Sequence, residues 1–271
     1  MVSVNIYIIN LDSSIQRLAF QQKQFEKLGL AFQRMPAISV DEISESDYQQ
    51  LGFGWQRPLR KVEVACFLSH KNVWEQVVED QVPALILEDD AVLANNLSVV
   101  LGRLELEKLT GVDLINFEVR SRKKIISKTS VLKFKDLDVE LFELYQDRTG
   151  AAGYLLYPSG AKKLLKRLEV TAPAIADGFI YSAYELKALQ VEPALIIQED
   201  QLQLYGLIPK NKFDSTIGRS EHYKAVYVSS AEQKMFKKRR FMGQWKMAYR
   251  YLQVLFKSQK RLIRLKKNHF Y

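Results

Sequence analysis

Leu85-Ile86-Leu87-Glu88-Asp89-Asp90-Ala91-Val92-Leu93 is an aliphatic run interrupted by three consecutive carboxylates. Ala84 to Leu87 reads as a buried strand, because continuous aliphatic residues without alternation suit a sheet covered on both faces. Three acids at the carboxyl end of such a strand oppose one another's ionisation. A divalent cation would relieve that repulsion, and hard carboxylate oxygens suit Mg²⁺ or Mn²⁺. The carboxyl ends of strands are also where open α/β sheets bind ligands. The triplet equally reads as a solvated acidic turn leading into a helix capped by Asn95 or Asn96.

Outward from this strand, the pattern is α/β. Val4–Leu11 is a first strand. Asp12, Ser13 or Ser14 can cap a helix whose Ile15, Leu18, Phe25 and Leu28 share a face, and Gly29 ends it. Ala31–Met35 reads as a second strand, so the chain opens β-α-β and a parallel sheet is expected. Residues 40–61, with Gly52, Gly54 and Pro58 around Trp55, read as a loop with one helical turn. Glu63 to Glu79 shows helical spacing, with His70 on or beside the apolar face as a core histidine or a catalytic one. A further helix carries Leu97, Val100, Leu101 and Leu104, and Val112–Glu118 is the next strand. Arg120–Lys135 and Val139–Tyr145 suggest a hairpin.

Thr149 to Leu165 places small residues before a strand and Pro158 at a first helical turn. Its glycines lack the G-x-G-x-x-G spacing, so they let backbone approach a ligand or simply pack. Asp177, among small and apolar residues, suits either a general base raised by burial or a helix cap. Leu195–Gln198 ends on a second acid pair, Glu199 and Asp200. Residues 209–222 read as a polar loop carrying Asp214, Ser215, Gly218 and His222, the last a weak candidate for a further metal ligand.

The 271 residues are 47% apolar, enough for one large α/β domain with an appendage. No apolar run reaches the ~20 residues of a membrane span, and no signal peptide is evident at the start. The single Cys66 fits a reducing compartment, so a cytoplasmic location is expected. The net charge of +9 is carried by the C-terminus, where 13 Lys and Arg lie between Lys234 and Lys267 and no acid follows Glu232. These cations interleave with Phe236, Phe241, Trp245, Tyr249, Tyr251, Leu255, Phe256 and Leu262. That combination suits a helix lying on an anionic membrane surface. A nucleic-acid arm fits it poorly, given the bulky aliphatic content and the mildly acidic body. The expected division is a catalytic domain over 1–225 and a basic amphipathic tail over 226–271.

Ile8-Ile9-Asn10-Leu11-Asp12 with Arg17, Glu63-Val64-Ala65-Cys66-Phe67-Leu68-Ser69-His70 with Trp74, Leu85–Asp90 and Gly150–Leu165 together resemble glycosyltransferase family 25. This family holds bacterial lipooligosaccharide galactosyltransferases and collagen galactosyltransferases. The match runs in order over about residues 4–220, with Ala65 standing where the family usually has glycine. The resemblance implies a GT-A-like mixed sheet flanked by helices, a nucleotide-sugar donor (commonly UDP-galactose), Mn²⁺ or Mg²⁺, and inversion with a β-1,4 type of linkage. By the same resemblance, Glu88 and Asp90 hold the metal. Asn10, Leu11, Arg17, Ser69, His70, Asp89 and Gln198 serve the donor, and Asp177 is the base.

Glycosyl transfer itself asks for these residue types. It passes through an oxocarbenium-like state, and the leaving UDP accumulates negative charge that a carboxylate-held cation stabilises. One further carboxylate must take the acceptor's proton. The expected partners are therefore a UDP-sugar, a lipid-linked oligosaccharide and an anionic membrane surface at the inner face of the inner membrane, with no nucleic acid. A donor change to UDP-glucose or UDP-N-acetylhexosamine, or a non-catalytic membrane adaptor, would leave the same sequence features in place.

Overall fold

The computed structural model describes residues 4–107, 109–147, 149–209 and 229–270. In chain order its first half contains β1 (Asn5–Asn10), α1 (Ile15–Leu28), β2 (Gln33–Pro36), α2 (Glu45–Leu51), α3 (Lys61–Asp80), β3 (Ala84–Glu88), β4 (Ala91–Leu93) and α4 (Leu97–Leu106). Then follow β5 (Leu114–Asn116), β6 (Glu118–Val119), β7 (Lys124–Ser127), β8 (Leu132–Phe134), β9 (Val139–Gln146), β10 (Gly153–Leu156) and α5 (Pro158–Leu168). The chain closes with α6 (Ala176–Tyr181), β11 (Ala188–Glu192), β12 (Ile196–Gln198), α7 (Ser230–Val254) and β13 (Ser258–Arg261).

A large mixed sheet runs in the order β13-β7-β9-β11-β5-β10-β3-β1-β2, with β8 paired to β9. β1 lies parallel to both β2 and β3, as the β-α-β opening requires. Leu85, Ile86 and Leu87 are fully buried, which accounts for the unbroken aliphatic run. α3 packs against α5 and α6. Trp74 of α3 stacks on Phe179 of α6, Phe67 meets both edge to face, and the Trp74 indole donates to the Tyr154 hydroxyl.

A second sheet, β4-β12-β6, explains how the site is placed. β3, β5 and β11 each leave the large sheet and resume, a few residues on, as β4, β6 and β12 of the small one. The acidic triplet falls at the first of these crossings, between β3 and β4. Changing sheets strips a strand of ladder partners, and buried backbone groups must then be satisfied some other way. α1 supplies the replacement. The buried Gln21 amide donates to the Asp89 and Ala91 carbonyls at 2.9 and 2.8 Å. Gln24 donates to the Ala91 carbonyl and accepts from the Leu93 N–H.

Two expectations change. Residues 40–61 hold a short 3₁₀ turn at Val40–Glu42 and the two-turn helix α2, whose Ser44 cap accepts from the Asp47 N–H. The C-terminus is one helix and then an edge strand, rather than a helical tail throughout. β13 pairs antiparallel with β7, and Ile263 and Phe270 enter the main core. α7 itself is held by Phe236 and Val254, both buried, and by the Gln146 side chain donating to the Met247 carbonyl. Ser258-Gln259-Lys260-Arg261 carries no strand pattern, and here backbone pairing to β7 overrides propensity.

Candidate active site at the sheet crossing

A cleft of about 430 Å³ opens over the carboxyl end of β3. Of the residues expected to form a site, Leu11, Arg17, Ser69, His70, Glu88, Asp89, Asp90 and Gln198 line it. Asn10 lies behind them, 1% exposed. Asp177 is outside the lining. Residues 214, 215, 218 and 222 fall outside the described residues.

The three acids differ sharply in how they are compensated. Asp89 turns back toward β1, accepting from the Asn10 amide and from the Arg17 guanidinium, each at 2.8 Å. The Asn10 side-chain oxygen in turn accepts from Arg34 at 3.0 Å. Asp89 thus anchors the turn. Glu88 and Asp90 instead converge on one amide, with the Gln198 NH₂ 3.0 Å from Glu88 and 3.3 and 3.4 Å from the two Asp90 oxygens. β12 brings Gln198 there by pairing antiparallel with β4, opposite Ala91. Burial, then the charges of Glu88 and Asp89, push the Asp90 carboxyl up to about 7. Two adjacent carboxylates with one neutral donor between them are the hard-oxygen set that Mg²⁺ or Mn²⁺ takes. A cation's donor set fits here.

His70 connects the acids to the core. Its Nε2 lies 3.3 Å from Glu88, its Nδ1 lies 3.0 Å from the Tyr154 hydroxyl, and the ring is fully buried. Ser69, next to it on α3, works on the backbone: its hydroxyl donates to the Ala65 carbonyl and accepts from the Ile38 N–H. It fixes the 37–40 segment that forms one rim of the cleft.

A family model described as glycosyltransferase family 25 (LPS biosynthesis protein) matches residues 3–180. The chain belongs to that family. It is similar to a lacto-N-neotetraose biosynthesis glycosyltransferase, LgtE, of Neisseria gonorrhoeae, at 27% identity over 71% of this chain and 73% of that one. The lipooligosaccharide biosynthesis protein lic2B of Haemophilus influenzae is also 27% identical, over 72% of this chain and 76% of that protein. A glycosyltransferase 25 family member of Anopheles gambiae is 31% identical over 65% of this chain, which spans only 31% of that longer protein.

Within this glycosyltransferase 25 chain the structure adds residues that sequence reasoning passed over. Arg120, just after β6, reaches the cleft and pairs with Gln198 and Asp200. In sequence it opens the Arg120–Lys135 stretch read as part of a hairpin. Cys66 also lines the cleft, one helical turn before His70. Glu118 is 1% exposed; one oxygen accepts from the Ala152 N–H at 2.9 Å and the other has no partner among the described residues. Burial pushes Glu118 up to about 8. Gly150, at φ +96, lies so close above it that a Cβ there would come within 2.5 Å of the carboxylate.

Asp177 sits in the first turn of α6, two residues past the N-cap position at Ile175. Its carboxylate accepts from the Gly178 N–H at 2.7 Å and the Gly150 N–H at 3.3 Å. Burial raises it in spite of these two bonds, and Glu88 adds to the rise.

Proposed function

We propose that this family 25 glycosyltransferase is an inverting, metal-dependent enzyme that moves galactose from UDP-galactose to a lipooligosaccharide core sugar in a β-1,4 type of linkage. The convergence of Glu88 and Asp90 on the single Gln198 amide carries the reading. It leaves two carboxylates under-compensated at the mouth of a cleft also lined by Arg17 and Arg120. Glu88 and Asp90 would hold Mn²⁺ or Mg²⁺, which supplies Lewis-acid stabilisation of the departing diphosphate. Arg17, ion-paired with Asp89, and Arg120 contribute positive charge along the same cleft. Asn10 and Asp89 keep the acidic turn in place, and Ser69 sets the rim above the donor.

Asp177 is the base in this reading. Its carboxyl is raised by burial, and its two backbone bonds fix it between α6 and the Gly150 turn. We read the sheet as GT-A-like, with the donor at the carboxyl ends of β1 and β3. The names of the bacterial relatives support a lipid-linked oligosaccharide acceptor. Phe241, Trp245, Tyr249 and Phe256 are exposed beside the exposed Lys237, Lys238, Arg240 and Lys246, which supports a seat on an anionic leaflet at the inner face of the inner membrane.

The test is a donor panel with purified protein, Mn²⁺ and a lipooligosaccharide acceptor, read by mass of the product. Transfer from UDP-galactose with loss on metal removal is the expected result. Transfer only from UDP-glucose or a UDP-N-acetylhexosamine would replace the donor and keep the mechanism. Failure of every nucleotide sugar would overturn the reading.

A further inference from the structure

Cys66 and His70 are four residues apart on α3, so they project from one helix face toward the end of β3. The Cys66 sulfur, a His70 nitrogen and a Glu88 oxygen all lie within 4.8 Å of one another. In a tetrahedral zinc site the corresponding ligand atoms stand about 3.3–3.6 Å apart, given Zn–S and Zn–N bonds of about 2.3 and 2.0 Å. The His70–Glu88 edge, at 3.3 Å, already has that length. The sulfur, no more than 4.8 Å from the other two atoms, has to move inward by at most about 1 Å, within the reach of a side-chain adjustment.

The outer surroundings suit a ligand histidine as well. The far ring nitrogen meets the Tyr154 hydroxyl, itself held by the Trp74 indole, so the imidazole's orientation is set from behind. We propose that Cys66, His70 and Glu88 form a site for a thiophilic divalent cation of the Zn²⁺ type, with a water as fourth ligand. The site stands on these side chains and does not depend on the donor reading.

Sulfur and imidazole select against Mg²⁺ and Mn²⁺, which the carboxylate pair Glu88 and Asp90 suits better. The two sites share Glu88, so the two cations are alternatives. Binding is a substitution: the S–H bond releases its proton to solvent and the sulfur donates that electron pair to the metal. Burial holds the Cys66 thiol well above its usual range, with Glu88, Asp177 and Asp90 adding to the rise, so the cation must displace a firmly held proton.

The experiment titrates the full-length, metal-free protein with Co²⁺ as a spectroscopic stand-in for Zn²⁺. Cys66 is the only cysteine, so a thiolate-to-cobalt charge-transfer band has one possible source. The expected result is such a band in the wild type, displaced by Zn²⁺. It should be absent in Cys66→Ser, weakened about tenfold or more in affinity in His70→Gln, and retained in Asp90→Asn. In the wild-type protein, Zn²⁺ should also slow alkylation of the thiol, a readout that needs no variant to fold. No band at saturating Co²⁺, a band surviving in Cys66→Ser, or alkylation unaffected by Zn²⁺ would overturn the site. A band lost in Asp90→Asn would merge it with the carboxylate pair and overturn it as a separate site.

Discussion

Two strand-end acids, at β3 and at β11, show what separates a site from a strut. Glu192, the last residue of β11, is fully buried and fully answered. Its carboxylate accepts both terminal nitrogens of Arg261 and the Arg264 N–H, and the Arg264 side chain stands 3.6 Å away. That cluster stitches the C-terminal segment onto the sheet. At β3 the opposite holds, because Glu88 and Asp90 share the neutral Gln198 amide, Glu88 meets the His70 imidazole at 3.3 Å, and the Arg17 guanidinium is bonded to Asp89. Glu88 and Asp90 are half-buried, and carboxylates drawn from water without an equal counter-charge are costly. A protein keeps them where a ligand completes the set.

Breaking each side of this comparison should give different failures. Asp90→Asn should cut transfer by about 10³-fold, since metal stabilisation of the transition state is worth several kcal/mol, with the unfolding midpoint little changed. Steady-state rates beside a urea melt check this. Glu192→Gln should do the reverse, destabilising the chain by about 3 kcal/mol in urea while nucleotide binding by folded protein stays near normal. Gln21→Leu takes this donor from the Asp89 carbonyl and leaves Gln24 on the Ala91 carbonyl. It should cost about 1–3 kcal/mol in a urea melt and weaken donor binding, because the acidic turn loses its anchor.

Glu118 sharpens the contrast through pH. Its folded value of about 8 stands above the ordinary 4.5. The folded state therefore binds the extra proton between those values, and the stability it confers is present below 4.5 and lost as pH rises through about 8. The melting temperature should fall across that window, and Glu118→Gln should flatten the fall. Smallest in stability, within about 0.5 kcal/mol, is the double change Phe241→Ser with Trp245→Ser on the exposed face of α7. Sedimentation with anionic vesicles should nonetheless drop, and unchanged sedimentation would remove the membrane surface from the account.

Local signals carried much of this fold. The aliphatic run of β3, the Gly29 that ends α1 in the left-handed conformation, and Pro158 at the first position of α5 all act through nearby backbone physics. The acidic triplet at a strand end was legible for the same reason. What stayed hidden depends on pairing across the chain. The 13 C-terminal cations look alike in sequence, yet Arg261 and Arg264 answer Glu192, and Lys266 pairs with Asp138. On α7 itself Arg239 donates to the Phe53 carbonyl, while Lys237, Lys238, Arg240 and Lys246 stay exposed on the aromatic helix. Gln21, Gln24 and Arg120 were equally unreadable, because their partners are made by strands that change sheets far away in sequence.

Glu88 and Asp90 are the central pair: as a cation's ligands facing a nucleotide sugar, they make donor binding depend on the metal. Calorimetric titration with UDP-galactose, in the presence and absence of Mn²⁺, tests this most directly in the wild type and in Asp90→Asn. Binding that needs Mn²⁺ and vanishes in the variant is the predicted result. Equal binding with and without Mn²⁺, or binding untouched by Asp90→Asn, would contradict it.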